Sequence, residues 1–586
     1  MPATIGELFD ATARAHPEAP ALRWREGGAW RSASWAEYRQ RVRAVARGLI
    51  GLGVGPGQGV AILGGNRPEW LLAHLGAIAA GGLPTGIYVT STAEQIEYIL
   101  GHCEAAVAIV EDAAQLERIA ALRDRLPALH HLVVMEGPAA ALTFAQLEER
   151  AAAVPEAVLE ERLAAQRPDD PCSLIYTSGT TGPPKAVMIG HRNVTFLAEA
   201  AAPLLELGPA DRMLSYLPLS HIAEQMVSIY LPMVGGSCVS FAQSLEKLPD
   251  DLREVRPTLF FGVPRVWEKI QARMQAAGAQ APWLRRKLVA WARGQGLAGG
   301  RAEQRGQRRP ALFALADRLL FRTVRARLGL DAARLCLTSA APIALDTLEL
   351  FLSLGIPILE VYGMSECTGP STMSLPGRYR TGRAGFAIPG TELRLAEDGE
   401  VLMRGPHVFL GYYKDEAATR EARDSEGWLH SGDVGDLDGD GFLRITDRKK
   451  ELLITSGGKN VAPAPIEARL KSIPGVAQVV LVGDGRPYVA ALLSLDPERL
   501  APLAAQAGSP ARDLVAARAC PLLHAHLERQ IERVNADLAR YESVRRFALL
   551  PGELSVQGGE LTPTLKLKRR VIREKYAAEI EALYRP

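Results

Sequence analysis

From about residue 40 to 350, helical patterns alternate with short apolar runs: "GVAIL", "AVAIVE", "SLIYTS", "TLFFGV", "RLCLTS" and "IPILEVYG". Each run suits one buried strand, and the helical stretches between them suit crossovers. This alternation predicts parallel sheets covered by helices. The segments 112–170 and 270–330 read as mostly helical, rich in Ala, Leu and Arg. From about 380 to 446 the texture changes to short strand patterns with turn signals, as in "GTELRLAEDGEVLMRG". After "DRKKE" a second α/β texture begins, with a helix near "APIEARLKS" and strands "AQVVLVG" and "YVAALLSL". At 586 residues the chain is too long for one compact domain. The favoured boundary lies near Lys450.

Two uncharged stretches, 70–93 and 225–245, are long enough to cross a bilayer. Each is cut by Gly-Gly, in "LGAIAAGGLPTGIYV" and "IYLPMVGGSCVSF", so each reads as a buried helix followed by a strand. The N-terminus lacks the basic and apolar regions of a signal peptide, and a cytoplasmic location is expected. A net charge of +2 gives no reason to expect nucleic acid as a partner. The six cysteines are scattered, without CxxC or a His/Cys cluster, and read as reduced core thiols.

"YTSGTTGPPKAVMIGHRN", residues 176–193, packs hydroxyls and glycines ahead of one lysine, as a phosphate-holding loop does. It is not a P-loop. Pro183 and Pro184 separate Gly182 from Lys185, and Ala186 stands where a magnesium-binding hydroxyl is required. Only 12 of the 68 basic residues are lysines and none precedes Lys185, which singles out Lys185, Lys450, Lys459 and Lys566.

In α/β sheets ligands gather beyond the carboxyl ends of strands. Three segments sit at such ends: Ser339-Ala340-Ala341-Pro342, Tyr362-Gly363-Met364-Ser365-Glu366, and the turn near Gly262. The second offers a stacking ring, a phosphate-binding hydroxyl and a cation-binding carboxylate together. In "GWLHSGDVGDLDGDGF", Asp436, Asp438 and Asp440 lack the register of a calcium loop, and Asp438-Gly439 and Asp440-Gly441 read as hairpin turns. Asp433 reads either as a solvated loop acid or as the acceptor of both hydroxyls of a ribose.

Taken in order, "YTSGTTGPPK", "LPLSH", "SAAPI", "VYGMSE", "SGD", "DRKKELLITSGGKN" and "LTPTLKLKRR" resemble the adenylate-forming (AMP-binding) superfamily. "LPLSHIAEQ", "GVPRVWEKI" and "GGKNVAPAPIE" look most like its long-chain fatty-acid–CoA ligase branch, especially the bubblegum-type acyl-CoA synthetases. The resemblance spans essentially the whole chain. It implies an α/β fold with a large N-terminal domain, residues 1–449, hinged to a small, mobile α+β C-terminal domain, residues 450–586. The large domain would hold two parallel-sheet α/β subdomains, about 1–380, and a small β-barrel-like unit, about 381–449. It also implies two half-reactions: a fatty acid and MgATP give acyl-AMP and pyrophosphate, and coenzyme A then displaces AMP.

Carried over by position, the resemblance makes Thr177, Ser178, Gly179, Thr180, Thr181, Gly182 and Lys185 the phosphate loop. Tyr362 would stack on adenine, with Ala340 and Ala341 on its other side and Gly363 beside it. Ser365 would contact phosphate, and Glu366 would hold Mg2+. Asp433 and Arg448 would bind the ribose hydroxyls, and Lys566 would bridge the carboxylate and the α-phosphate. His221, Gly262 and Val263 would border the acyl site. Ser456, Gly457 and Gly458 would face the coenzyme A channel after rotation about the hinge, Lys450. Ser365 stands where Thr is commoner, and Ser339-Ala340 where Gly-Gly is common; both keep the chemistry. Two other readings stay open: an adenylation enzyme loading a separate carrier protein, and a non-catalytic acyl or nucleotide sensor.

Residues 283–310 carry eight basic residues and one acid, with Trp283, Leu284, Leu288 and Trp291 at helical spacing. The segment reads either as a solvated insertion packed on the body or as a basic amphipathic surface resting on the inner face of a membrane.

Overall fold

The computed structural model describes residues 4–137, 141–177, 183–279, 282–562 and 567–585. Its largest sheet has eight strands, in the order Gly411–Tyr412, Lys185–Gly190, Pro171–Thr177, Leu83–Ile87, Gly59–Leu63, Ala105–Val110, His131–Val134 and Leu142–Thr143. The run from Pro171–Thr177 onward is parallel, and the two strands before it are antiparallel. Every residue of Gly59–Leu63, Leu83–Ile87 and Ala105–Val110 is buried, because helices cover both faces. Capping boxes start several of these helices: Ser34 with Glu37 before Trp35–Gly51, and Thr92 with Gln95 before Ala93–His102.

A second layer joins two smaller sheets. Arg212–Ser215, Cys238–Phe241, Pro20–Glu26 and Ala29–Ser34 form one. Leu259–Phe261, Leu335–Thr338, Ile358–Met364, Gly369–Met373 and Phe386–Ala387 form the other. They meet where the Thr258 N–H donates to the Arg212 carbonyl. The two uncharged stretches lie in different layers, and both run from helix through glycine into strand. Pro68–Ala79 leads into Leu83–Ile87, and Leu231–Gly235 turns at Gly236 into Cys238–Phe241. Among the described residues no helix is long and apolar enough to cross a membrane.

Glu392–Leu395, Glu400–Arg404, Leu429–Leu437 and Leu443–Arg448 form the small antiparallel unit. Its last hairpin turns as the sequence indicates: Asp438 Oδ1 accepts the N–H groups of Asp440 and Phe442, and Gly441 takes φ 82°. Beyond it, Val476–Val482, Val489–Leu495 and Val544–Leu549 make a three-stranded sheet backed by helices such as Pro463–Lys471 and Pro521–Asn535. The apolar clusters of the two parts do not mix. Those of the larger part end by Ile445, and those of the smaller begin at Leu453.

The segment 112–170 departs from the helical expectation. It holds helices Ala113–Ala120, Phe144–Glu149 and Glu156–Ala165, but also the strands His131–Val134 and Leu142–Thr143. These two strands, the last of the sheet, are too short for an alternating pattern to stand out.

Candidate active site

One cavity of about 1870 Å³ opens at the carboxyl ends of the strands and between the two parts of the chain. Thr177, Lys185, His221, Val263, Ala340, Ala341, Tyr362, Gly363, Ser365, Glu366, Asp433, Arg448 and Lys450 all line it. The fold therefore gathers residues spread over more than 270 positions of sequence.

Thr177 and Lys185 pair across antiparallel strands, with the Thr177 hydroxyl 3.4 Å from the Lys185 carbonyl. Ser178, Gly179, Thr180, Thr181 and Gly182 lie outside the described residues, as does Lys566. Tyr362 sits on Ile358–Met364, paired with Thr372 across a hairpin. Gly363 is set by packing: a Cβ there would come within 1.7 Å of the Gly369 carbonyl oxygen. Ala340 adopts a left-handed φ of 75° at the end of Leu335–Thr338.

Asp433 and Arg448 face each other across the hairpin of Leu429–Leu437 and Leu443–Arg448, joined by a 3.1 Å ion pair. The Tyr362 hydroxyl donates to the other Asp433 oxygen at 2.8 Å. Asp433 is thus a buried, positioned carboxylate (5% exposed) and not a solvated loop acid. Burial and the Asp433 charge push the Tyr362 phenol well above its ordinary range, so it remains a donor.

Glu366 lies in the short turn Ser365–Cys367 and is 8% exposed. Its Oε1 accepts the Tyr412 hydroxyl at 2.8 Å. Among the described residues no cation pairs with it, and no further hydrogen bond reaches its carboxylate. A buried carboxylate with a donor and, among the described residues, no direct ion pair, though within reach of the Arg448 charge, suits a divalent cation.

His221 caps the helix Ile222–Gln225, its Nδ1 accepting the Ala223 N–H at 3.2 Å. A π turn, Met226–Tyr230, follows where Met226 and Val227 reach the cavity. Together with Ala201, Leu205, Ile222 and Leu231 they give the cavity an apolar wall. Val263 belongs to the lining, whereas Gly262 packs against the indole of Trp267, 2.7 Å from where its Cβ would lie. Ser456, Gly457 and Gly458 are exposed on the turn between Leu453–Ile454 and Asn460–Val461, outside the cavity. The Lys450 side chain is 83% exposed, with Glu421 3.9 Å away.

Glu360 and Tyr412 are among the cavity residues that the sequence analysis does not name. Glu360 has its carboxyl buried beside the Gly382 N–H (2.6 Å), and burial pushes its pKa up to about 7. An acid inside the apolar run "IPILEVYG" is a signal that could have found it. Tyr412 carries no such signal, because its partners are distant in sequence.

With this geometry in view, residues 9–413 match the family of AMP-binding enzymes, and residues 450–586 match the AMP-binding enzyme C-terminal domain. The chain belongs to the AMP-binding enzyme family. It is 40% identical to the long-chain-fatty-acid–CoA ligase ACSBG2 of Xenopus laevis, over the whole of this chain and 84% of that one. It is 38% identical to the long-chain-fatty-acid–CoA ligase ACSBG1 of Rattus norvegicus, over the whole of this chain and 86% of that one. Its fold is similar to that of the anthranilate CoA ligase AuaEII in complex with anthranoyl-AMP, with a TM-score of 0.75, 23% identity and 99% of both chains covered.

Proposed function

We propose that this protein is an ATP-dependent long-chain fatty-acid–CoA ligase. The observation that carries the reading is a single cavity in which nucleotide-type polar groups share space with an apolar wall. In the first half-reaction a carboxylate oxygen of the fatty acid attacks the α-phosphorus of ATP. The bond to the bridging oxygen breaks, and pyrophosphate leaves. In the second, the coenzyme A thiol attacks the acyl carbon, AMP leaves, and a proton is released. Negative charge gathers at phosphorus in the first transition state, so fixed cations and donors supply the catalysis.

Tyr362 would offer its ring to adenine, with Ala340 and Ala341 opposite and Gly363 at the edge. Asp433, oriented by Tyr362 and Arg448, would accept the ribose hydroxyls. Lys185 and the loop Thr177–Gly182 would hold the β- and γ-phosphates, with Ser365 donating to phosphate and Glu366 binding Mg2+. The metal, when bound, supplies positive charge against the phosphate oxygens. Lys566 would bridge the substrate carboxylate and the α-phosphate. The apolar wall of Ala201, Leu205, Met226, Val227 and Leu231 would take the chain, with His221 and Val263 bordering it. Rotation at Lys450 would then exchange Lys566 for the Ser456-Gly457-Gly458 turn in the thioester-forming step.

Carboxylate-dependent ATP–pyrophosphate exchange tests this, over acids from acetate through palmitate and oleate to benzoate. Exchange peaking with long chains, followed by acyl-CoA formation when coenzyme A is added, is expected. Exchange peaking with another acid would overturn the substrate, and thioester formed only on a carrier protein would overturn the acceptor. No exchange with any acid would favour a sensor. Lys566→Ala should abolish exchange while keeping ATP binding.

The protein is proposed to work in the cytoplasm, touching anionic lipid through residues 283–310. Trp283 and Leu284, at 57% and 64% exposed, stand beside the exposed Arg285, Arg286 and Lys287 on the helix Trp283–Gln304. Trp291 instead packs on the body. Replacing Arg285, Arg286 and Lys287 by Gln should weaken binding to anionic vesicles; unchanged binding would exclude this surface.

A further inference from the structure

Tyr412 joins two charged groups that lie far apart in the sequence. The strand Gly411–Tyr412 forms the edge of the largest sheet, with Tyr412 opposite Val187 of Lys185–Gly190. Its backbone N–H donates to Thr419 Oγ1 at 2.8 Å, and the Phe409 ring packs edge-on against its own at 5.0 Å. The Phe409 N–H in turn donates to the Glu366 carbonyl at 2.8 Å. Gly411, at φ 146°, permits the close approach to Thr419: a Cβ there would lie 2.8 Å from Thr419 Cγ2. The Tyr412 ring is therefore held by sheet pairing, a neighbouring ring that is itself bonded to Glu366, and the Tyr412 N–H bond to Thr419.

From this fixed position it touches both charges. Its hydroxyl donates to Glu366 Oε1 at 2.8 Å, and the Lys185 ammonium stands 4.7 Å from the centre of its ring. The hydroxyl occupies one carboxylate oxygen, while the ring attracts the ammonium without removing its donors.

We propose that Tyr412 is a positioning residue that sets the Glu366 carboxylate and the Lys185 ammonium relative to each other, and so governs binding of the divalent cation and the phosphates of ATP. The inference rests on the reading of Glu366 as the metal ligand. Two substitutions separate its parts. Tyr412→Phe keeps the ring and removes the hydroxyl; Tyr412→Leu removes both.

The measurements use the full chain: Mn2+ binding to the ATP-loaded protein by electron paramagnetic resonance, and metal-free ATP binding by calorimetry with EDTA. Tyr412→Phe is expected to weaken Mn2+ about tenfold, as loss of a partner to a metal-bound carboxylate does, and to leave metal-free ATP unchanged. Tyr412→Leu is expected to weaken both. Wild-type Mn2+ affinity in Tyr412→Phe overturns the proposal, and so does an equal loss of metal-free ATP, which would mark a general disturbance of the site. Glu366→Gln distinguishes the two levels. If it weakens Mn2+ and Tyr412→Phe does not, the positioning role falls and the metal reading stands. If neither does, both fall together.

Discussion

Glu224 is a carboxylate with 1% of its surface exposed and, among the described residues, no ion pair. Ser215 and Ser228 donate to its Oε1 at 2.6 and 2.7 Å, but burial dominates and pushes its pKa up to about 7. A carboxyl raised above its unfolded value favours folding while protonated. Its contribution is complete below the unfolded pKa and is lost as pH rises through 7. Glu224→Gln should therefore raise the melting temperature at pH 8, with the gain shrinking as pH falls toward 5. Melting curves across that range check this, and a gain independent of pH would contradict it. Ala340 makes a different prediction, since its left-handed backbone is strained for any residue with a Cβ. Ala340→Gly should stabilise the fold by at most about 1 kcal/mol, the relief of strain being partly offset by unfolded-state entropy.

Among the elements, the hairpin of Ile358–Met364 and Gly369–Met373 carries the most consequence. It positions Tyr362 on one strand and Glu366 in its turn, and its strands close over Gly363. Gly363→Ala places a methyl group against a backbone carbonyl that has no room to move. The expected outcome is a loss of about 3 kcal/mol or more in chemical denaturation, together with loss of ATP binding. Wild-type stability would mean that the hairpin yields. "VYGMSE" was legible as a strand followed by a ligand-binding turn because its residue types carry that chemistry locally. The backbone clash that demands Gly363 was not, because it involves the facing strand. The strands His131–Val134 and Leu142–Thr143 stayed hidden for a related reason: pairing with a neighbour defines them, not their own pattern.

At the scale of the whole molecule, two apolar cores adjoin at a few polar contacts. Lys471 of the smaller part lies 3.3 Å from Glu268 of the larger, and the Ala464 N–H donates to Asp447 Oδ2 at 3.1 Å across the proposed hinge. Arg569 binds Glu467 through two 2.6 Å contacts and Glu451 at 2.8 Å, tying the helix Arg569–Lys575 to the residue beside Lys450. Glu268→Gln removes one contact specific to this orientation. It should lower the ratio of pyrophosphate exchange to thioester formation by about two- to fivefold, the weight of a partly exposed ion pair. An unchanged ratio would show that this ion pair does not bias the orientation.

The sequence alone determined the layered α/β architecture, the family, and those polar residues of the cavity that belong to its motifs, such as Lys185, Tyr362, Glu366, Asp433 and Arg448. Apolar periodicity and short-range turn chemistry are written in consecutive residues, and they survive without knowledge of neighbours. The tertiary structure alone decided that Asp433 is buried against Tyr362, that Gly262 serves Trp267 and not the cavity, and that Tyr412 stands between Glu366 and Lys185. Each depends on contact between residues many positions apart. Burial and hydrogen-bond geometry belong to such pairs, so no single stretch of chain could have revealed them.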